Sequence, residues 1–180
     1  TNVGGQRKVT AVAVAPSDPQ VILFCNNIAL RRSTDGGASF QVIGTGLPTL
    51  AITYIAIDPL DPDLMCVTLS GFLEGEKVYR STDGWTQAQT YKWVGGYQCD
   101  VDDPKNYVWP NHHPDQHWLE FSNGDPSKLY SANDGGVHVT SNPLADSIPW
   151  TVLNTGYYTS QFYTVAIEEG NSTSQFIVGG

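Results

Sequence analysis

The chain has little of what nucleic-acid or membrane partners require. Only nine Lys and Arg stand against eighteen Asp and Glu, giving a net charge of −9. Those nine form no cluster, so nucleic acid and anionic membrane surfaces have no basic footprint to bind. No apolar run approaches the roughly 18 residues of a spanning helix, and no secretory signal pattern stands in the sequence. The first residue is Thr1 rather than Met, which reads as a processed or excised piece. Cysteine is scarce: Cys25, Cys66 and Cys99 are an odd set, so at least one is unpaired within the chain. Cys25 and Cys66 lie in apolar stretches where a thiol serves as a small buried hydrophobe. Nothing in their spacing suggests a disulfide framework, and they leave the compartment open.

What is abundant is punctuation. Eighteen Gly and eleven Pro are distributed among short runs rich in Val, Ile, Tyr and Thr. Short strands joined by tight turns follow from that composition. Two phrases recur. Arg32-Ser33-Thr34-Asp35-Gly36-Gly37-Ala38-Ser39-Phe40 returns as Arg80-Ser81-Thr82-Asp83-Gly84-Trp85. An Asp followed by Gly demands a tight turn, the carboxylate accepting local N–H groups while Gly takes the positive φ. The second phrase is strand, Asp-Pro turn, strand. It runs from Val9–Val14 through Asp18-Pro19, from Ile52–Ile57 through Asp61-Pro62, and from His117–Phe121 through Asp125-Pro126. A fourth copy runs from Phe162–Ile167 through the polar turn at Asn171. Pro belongs in these connections because it cannot donate to a ladder.

The step from Asp18 to Asp35, taken again from Asp125, lands on Asn142, with Trp150 in the aromatic role. Asn142 therefore reads as a weakened third copy of the turn. Each unit becomes four antiparallel strands in about 40–50 residues, the blade of a β-propeller. The expected division is 1–47, 48–93, 112–157 and 158–180, with 94–111 an irregular insert or an eroded blade. The fold class expected is all-β, a partial propeller whose remaining blades lie outside this chain.

The pattern Ser33, Asp35, Gly37, Phe40, with Ser81 and Asp83, resembles the Asp-box or BNR repeat. The chain as a whole is similar to propellers of the sortilin/VPS10 group and of glycoside hydrolase family 74, the xyloglucanase-like enzymes. Asp115-Gln116-His117, Asn133-Asp134-Gly135-Gly136-Val137 and Leu153-Asn154-Thr155-Gly156 carry the likeness to large secreted bacterial proteins of that group. The resemblance implies a secreted or cell-surface protein, with carbohydrate or an extracellular protein as partner. It leaves two functions open: a non-catalytic binding or scaffold module, and a fragment of a glycoside hydrolase acting on polysaccharide.

Candidate chemistry falls in three places. The resemblance puts a catalytic carboxylate at Asp134, although Asp-Gly is also the strongest short hairpin signal. Glycoside hydrolysis needs a second carboxylate about 5–10 Å away, and no partner for Asp134 stands out. His112, His113 and His117, with Asp115 between them, are possible Zn²⁺ or Cu²⁺ ligands, or simply a polar loop entering a strand. No other cofactor is called for. Trp93, Tyr97, Tyr107 and Trp109, beside Asp100, Asp102 and Asp103, have the makings of a ligand groove in which rings stack on apolar faces. Asp35 and Asp83 are expected to hold backbone on the rim. Asn171-Ser172-Thr173 is a glycosylation sequon or a polar turn.

Overall fold

The computed structural model describes residues 8–26, 29–70, 76–88, 90–98, 107–156, 165–167 and 177–179. Among them every regular element is a strand. β1 (Ala11–Val14), β2 (Ile22–Asn26), β3 (Ala29–Ser33) and β4 (Gln41–Ile43) form a first antiparallel sheet in chain order. β5 (Ala51–Ile57), β6 (Met65–Ser70), β7 (Lys77–Ser81), β8 (Lys92–Gln98) and β9 (Tyr107–Val108) form the second. β10 (Gln116–Phe121), β11 (Leu129–Asn133), β12 (Gly136–Thr140) and β13 (Thr151–Val152) form the third. β14 (Val165–Ile167) and β15 (Ile177–Gly179) pair as a two-stranded sheet.

Local chemistry explains the connections. Asp18, Asp61 and Asp125 each accept, through Oδ1, the N–H two residues on, at 3.0, 2.9 and 3.3 Å. Pro between donor and acceptor presets the turn and lacks an N–H of its own. The strand that follows begins where alternation resumes.

The sheets stack face to face. One apolar cluster, with Leu23, Leu30, Ile55, Val67 and Trp85, fills the space between the first and second sheets. Another, with Cys66, Val78, Leu119, Phe121 and Trp150, lies between the second and third. Each fully buried aliphatic side chain contributes on the order of 1.5–3 kcal/mol. The first strands adjoin, β5 lying beside both β1 and β10. This is an arc of propeller blades with its first strands innermost.

The stretch at 94–111 belongs, as far as it is described, to the second sheet. β8 runs on to Gln98 opposite β7, and β9 pairs with it through Tyr97↔Val108. β9 thus adds a fifth strand to the second sheet, and residue 93 falls inside β8. Cys25 and Cys66 are buried. Cys99, Asp100, Asp102, Asp103 and the sequon lie outside the described residues.

Candidate functional site

The Asp-Gly turns at Asp35 and Asp83 are built alike. Ser33 Oγ donates to Asp35 Oδ1 at 2.6 Å and accepts from the Asp35 and Gly37 N–H groups. Asp35 then accepts the backbone N–H and hydroxyl of Ser39. Ser81 Oγ donates to Asp83 Oδ1 at 2.6 Å and accepts from the Asp83 and Trp85 N–H groups, and Thr90 caps Asp83 Oδ2. Hydrogen bonds from Ser33 and Ser39 hold the Asp35 carboxyl down at about 2. Burial alone would raise Asp83, but bonds from Ser81 and Thr90 carry it below the ordinary value. Phe40 packs edge-on against Phe24. In the third sheet Thr140 Oγ1 takes the serine's place and accepts the Asn142 N–H at 3.1 Å. Trp150 sits in the core with its indole donating to the Val94 carbonyl at 2.9 Å.

The expected aromatic groove is not one. Trp109 is buried, donates to the Ile148 carbonyl at 2.9 Å and meets Trp93 edge to face at 4.9 Å. Trp93 donates to the Gly95 carbonyl and packs against both apolar clusters. Trp109 is core and Trp93 half-buried because β8 and β9 pair within the second sheet, which draws a segment whose polar composition reads as exposed against the apolar clusters. Tyr97 is half-buried in β8. Tyr107 enters through its backbone pairing with Gln98.

The three histidines are dispersed. His112 is buried, stacked on Trp150 at 4.2 Å, and its Nδ1 accepts the Gly96 N–H at 2.8 Å. Burial, then the His138 and His113 rings, push its pKa down to about 3. His113 is exposed and its Nδ1 meets the Pro114 carbonyl. His117 Nε2 lies 2.5 Å from Asp134 Oδ1. Among the described residues no group of three or more His, Cys, Asp or Glu is placed to hold a metal.

Three separated phrases of the sequence nevertheless meet in space, at the tip of the β11–β12 hairpin. Asn133 Oδ1 accepts the Gly135 N–H at 2.9 Å, which folds the turn and leaves the Asp134 side chain exposed. Asn154 clamps the turn from the far side, donating to the Gly135 carbonyl and accepting from the Val137 N–H. A Cβ at Gly136, whose φ is +103°, would overlap that Asn154 amide. Gln116 anchors the start of β10: its N–H goes to Glu76 Oε2 at 2.7 Å and its Oε1 accepts from Ser131.

Directly after Gln116 the β10–β11 register shifts, which marks a bulge at His117. A bulge re-aims side chains, and here two successive ones, His117 and Trp118, are exposed. Trp118 is 50% exposed, lies 4.5 Å from the Tyr54 ring and donates Nε1 to Glu120 Oε2 at 3.1 Å. β5 carries the same irregularity, between Ile52 and Tyr54. Burial, then the Glu120 charge, raises the Tyr54 phenol. The result is a pair of rings with the Glu120 carboxylate bonded to the indole, beside a cavity of about 260 Å³ between the innermost strands. Sequence reasoning quoted Tyr54 and Trp118 only as strand residues. The signal for them was a bulky aromatic at the same place in two copies of the repeat.

No family model matches the chain, and no curated relative does. Solved structures do. The chain is similar to YCF48 from Cyanidioschyzon merolae, at 14% identity and a TM-score of 0.55, over 92% of this chain and 48% of that one. It is similar to the GH74 xyloglucanase from Xanthomonas campestris, at 18% identity and a TM-score of 0.55, over 82% and 21%. A third is YCF48 bound to D1 peptide, at 12% identity and a TM-score of 0.53, over 81% and 40%. The chain thus spans about a fifth of the xyloglucanase and under half of YCF48. At these identities the likeness shows the fold, a β-propeller.

Proposed function

We propose that this chain belongs to an extracellular β-propeller that binds a ligand without transforming it, through the patch around Trp118. The observation that carries the reading is the half-exposed indole against Tyr54, with the Glu120 carboxylate bonded to its Nε1. Ring pairs edged by carboxylates suit ligands with apolar faces and polar rims, the shared character of sugar rings and peptide side chains. Similarity to a propeller solved with a peptide supports a protein ligand, and similarity to a xyloglucanase supports a carbohydrate. The extracellular placement rests on the resemblance drawn from the sequence. Titration calorimetry of the full chain against xyloglucan oligosaccharides and against a pool of short peptides tests the reading. One class should bind, and Trp118→Ala should weaken it at least tenfold. Binding by neither class, or binding indifferent to Trp118→Ala, overturns it.

A second reading, hydrolysis of polysaccharide, is favoured by one observation: the exposed Asp134 carboxylate with an imidazole at 2.5 Å. Its test is turnover of xyloglucan by the parent protein. Asp134→Asn should abolish that turnover while the thermal midpoint stays within a degree or two. Unchanged turnover removes Asp134 from the chemistry.

A further inference from the structure

Strand register makes the three sheets comparable residue by residue. Ile22, Met65 and Leu129 pair with Ser33, Ser81 and Thr140 on one side, and with Val14, Ile57 and Phe121 on the other. Val12, Ile55 and Leu119 therefore hold one position, and Val14, Ile57 and Phe121 another. In the second and third sheets these side chains are core, Ile55 at 5% exposure and Leu119 at 1%. In the first sheet Val12 is 66% exposed, and Val9 and Val14 are more than half exposed. The face that the second and third sheets bury against the preceding sheet is open on the first.

A polar contact repeats at the same junctions. Arg32, just before Ser33, donates Nη1 to the Gly84 carbonyl of the second sheet's turn, and its Nη2 reaches Asp63 at 2.5 Å. Arg80, just before Ser81, donates Nη1 to the Pro143 carbonyl and to the Ala145 carbonyl of the third sheet's turn. Gly84 lies three residues after Ser81, and Pro143 three after Thr140, so both arginines find the same carbonyl of the next sheet. A Cβ at Gly84 would overlap the Arg32 guanidinium, so the close approach needs glycine there. In the first sheet the corresponding carbonyl is that of Gly36.

We propose that the open face of the first sheet is the seat of a further four-stranded blade, whose apolar face covers Val9, Val12 and Val14. That blade carries an Arg directly ahead of its turn serine, and the guanidinium donates to the Gly36 carbonyl. The surface continues an interface already formed twice in this chain, which selects a blade over a small ligand. The inference rests on the propeller fold; Val9, Val12 and Val14 also line the grooves beside Tyr54 and Trp118, so the two readings share a border and are told apart by separate measurements.

Register also supplies the experiment. Tyr54 matches Ala11, a period of 54 − 11 = 43 residues, so residues 8–50 span one repeat that can be inserted a second time ahead of Lys8. The inserted copy brings its own Arg32, Leu30 and Leu23. Val12→Cys in the original first sheet then reports the seat through its thiol-labelling rate, read by mass spectrometry with native Cys66 as the folding control. Labelling should slow at least tenfold relative to Val12→Cys in the unextended chain. Arg32→Met in the inserted copy alone should return much of that rate. Equal labelling in a folded, extended chain overturns the proposal, as does an extension that will not fold beside a folded parent. Protection of Val12→Cys that grows with concentration in the unextended chain would assign the seat to a second copy, and overturns it too. Ligand binding through Trp118 is measured separately, so loss of one reading leaves the other standing.

Discussion

Trp85 stands in the second sheet's turn where Gly37 stands in the first. Both N–H groups go to the turn serine at 2.9 Å, and both residues have positive φ, 54° and 91°. A left-handed tryptophan costs about 1–2 kcal/mol, and only a compensating gain keeps it there. The gain is burial: the ring is 1% exposed within the cluster between the first two sheets.

Two substitutions at Trp85 separate those effects. Trp85→Ala should destabilise the chain by about 3–5 kcal/mol in urea unfolding, the usual cost of emptying a large aromatic site. Trp85→Gly empties the same site but relieves the backbone, and should be the milder by roughly 1 kcal/mol. If Gly is no milder than Ala, the positive φ is not a source of strain.

The interblade arginines should differ in weight. Arg80 is buried and serves two carbonyls, whereas the Asp63 partner of Arg32 is half exposed to solvent. A hydrogen bond from a charged donor contributes about 1.5–3 kcal/mol, and surface ion pairs about 0–1. Arg80→Ala should therefore cost clearly more than Arg32→Ala in denaturant midpoint. Equal losses would show that the second junction does not depend on its latch.

Acid should loosen the junction between the second and third sheets before it reaches the carboxylates. His112 is held at about 3 when folded, against an ordinary 6.5, so the unfolded chain binds its proton first. Its stabilisation is complete above about pH 6.5 and is lost as pH falls toward 3. Asp35, at about 2, is lost only below its ordinary 3.8. Urea midpoints between pH 7.5 and 4.5 should fall in the native chain and flatten in His112→Asn. An unchanged slope would point to other groups.

Burial pushes the Cys66 thiol up to about 12. It should not alkylate in the folded chain at pH 8, where a thiolate is required, and should react in urea. Rapid labelling of Cys66 in the native state would contradict the packing between the second and third sheets.

How legible these features were depended on how local their causes are. The Asp18, Asp61 and Asp125 turns and the Ser33 and Ser81 turns are decided within five residues, and residue type alone marks them. The run Ile52–Ile57 likewise announces a strand, which the sheets on either side bury on both faces. Trp109 misleads because its neighbours are polar and its burial depends on strands formed far along the chain. His112 resembles a metal ligand in sequence, yet it is buried against Trp150 with its Nδ1 taken by the Gly96 N–H, a partner that only the β8–β9 pairing supplies. The patch at Trp118 depends on a bulge, which alternation cannot show.

Val139 gives the third sheet no guanidinium to extend toward whatever follows it. The two earlier junctions are fastened at the rim by a directional bond as well as by apolar packing, and this one has no such bond from that position. Under mechanical load the arc should part first on the C-terminal side of the third sheet, at lower force than at either earlier junction. The order of detachment is thus written into one side chain of the repeat.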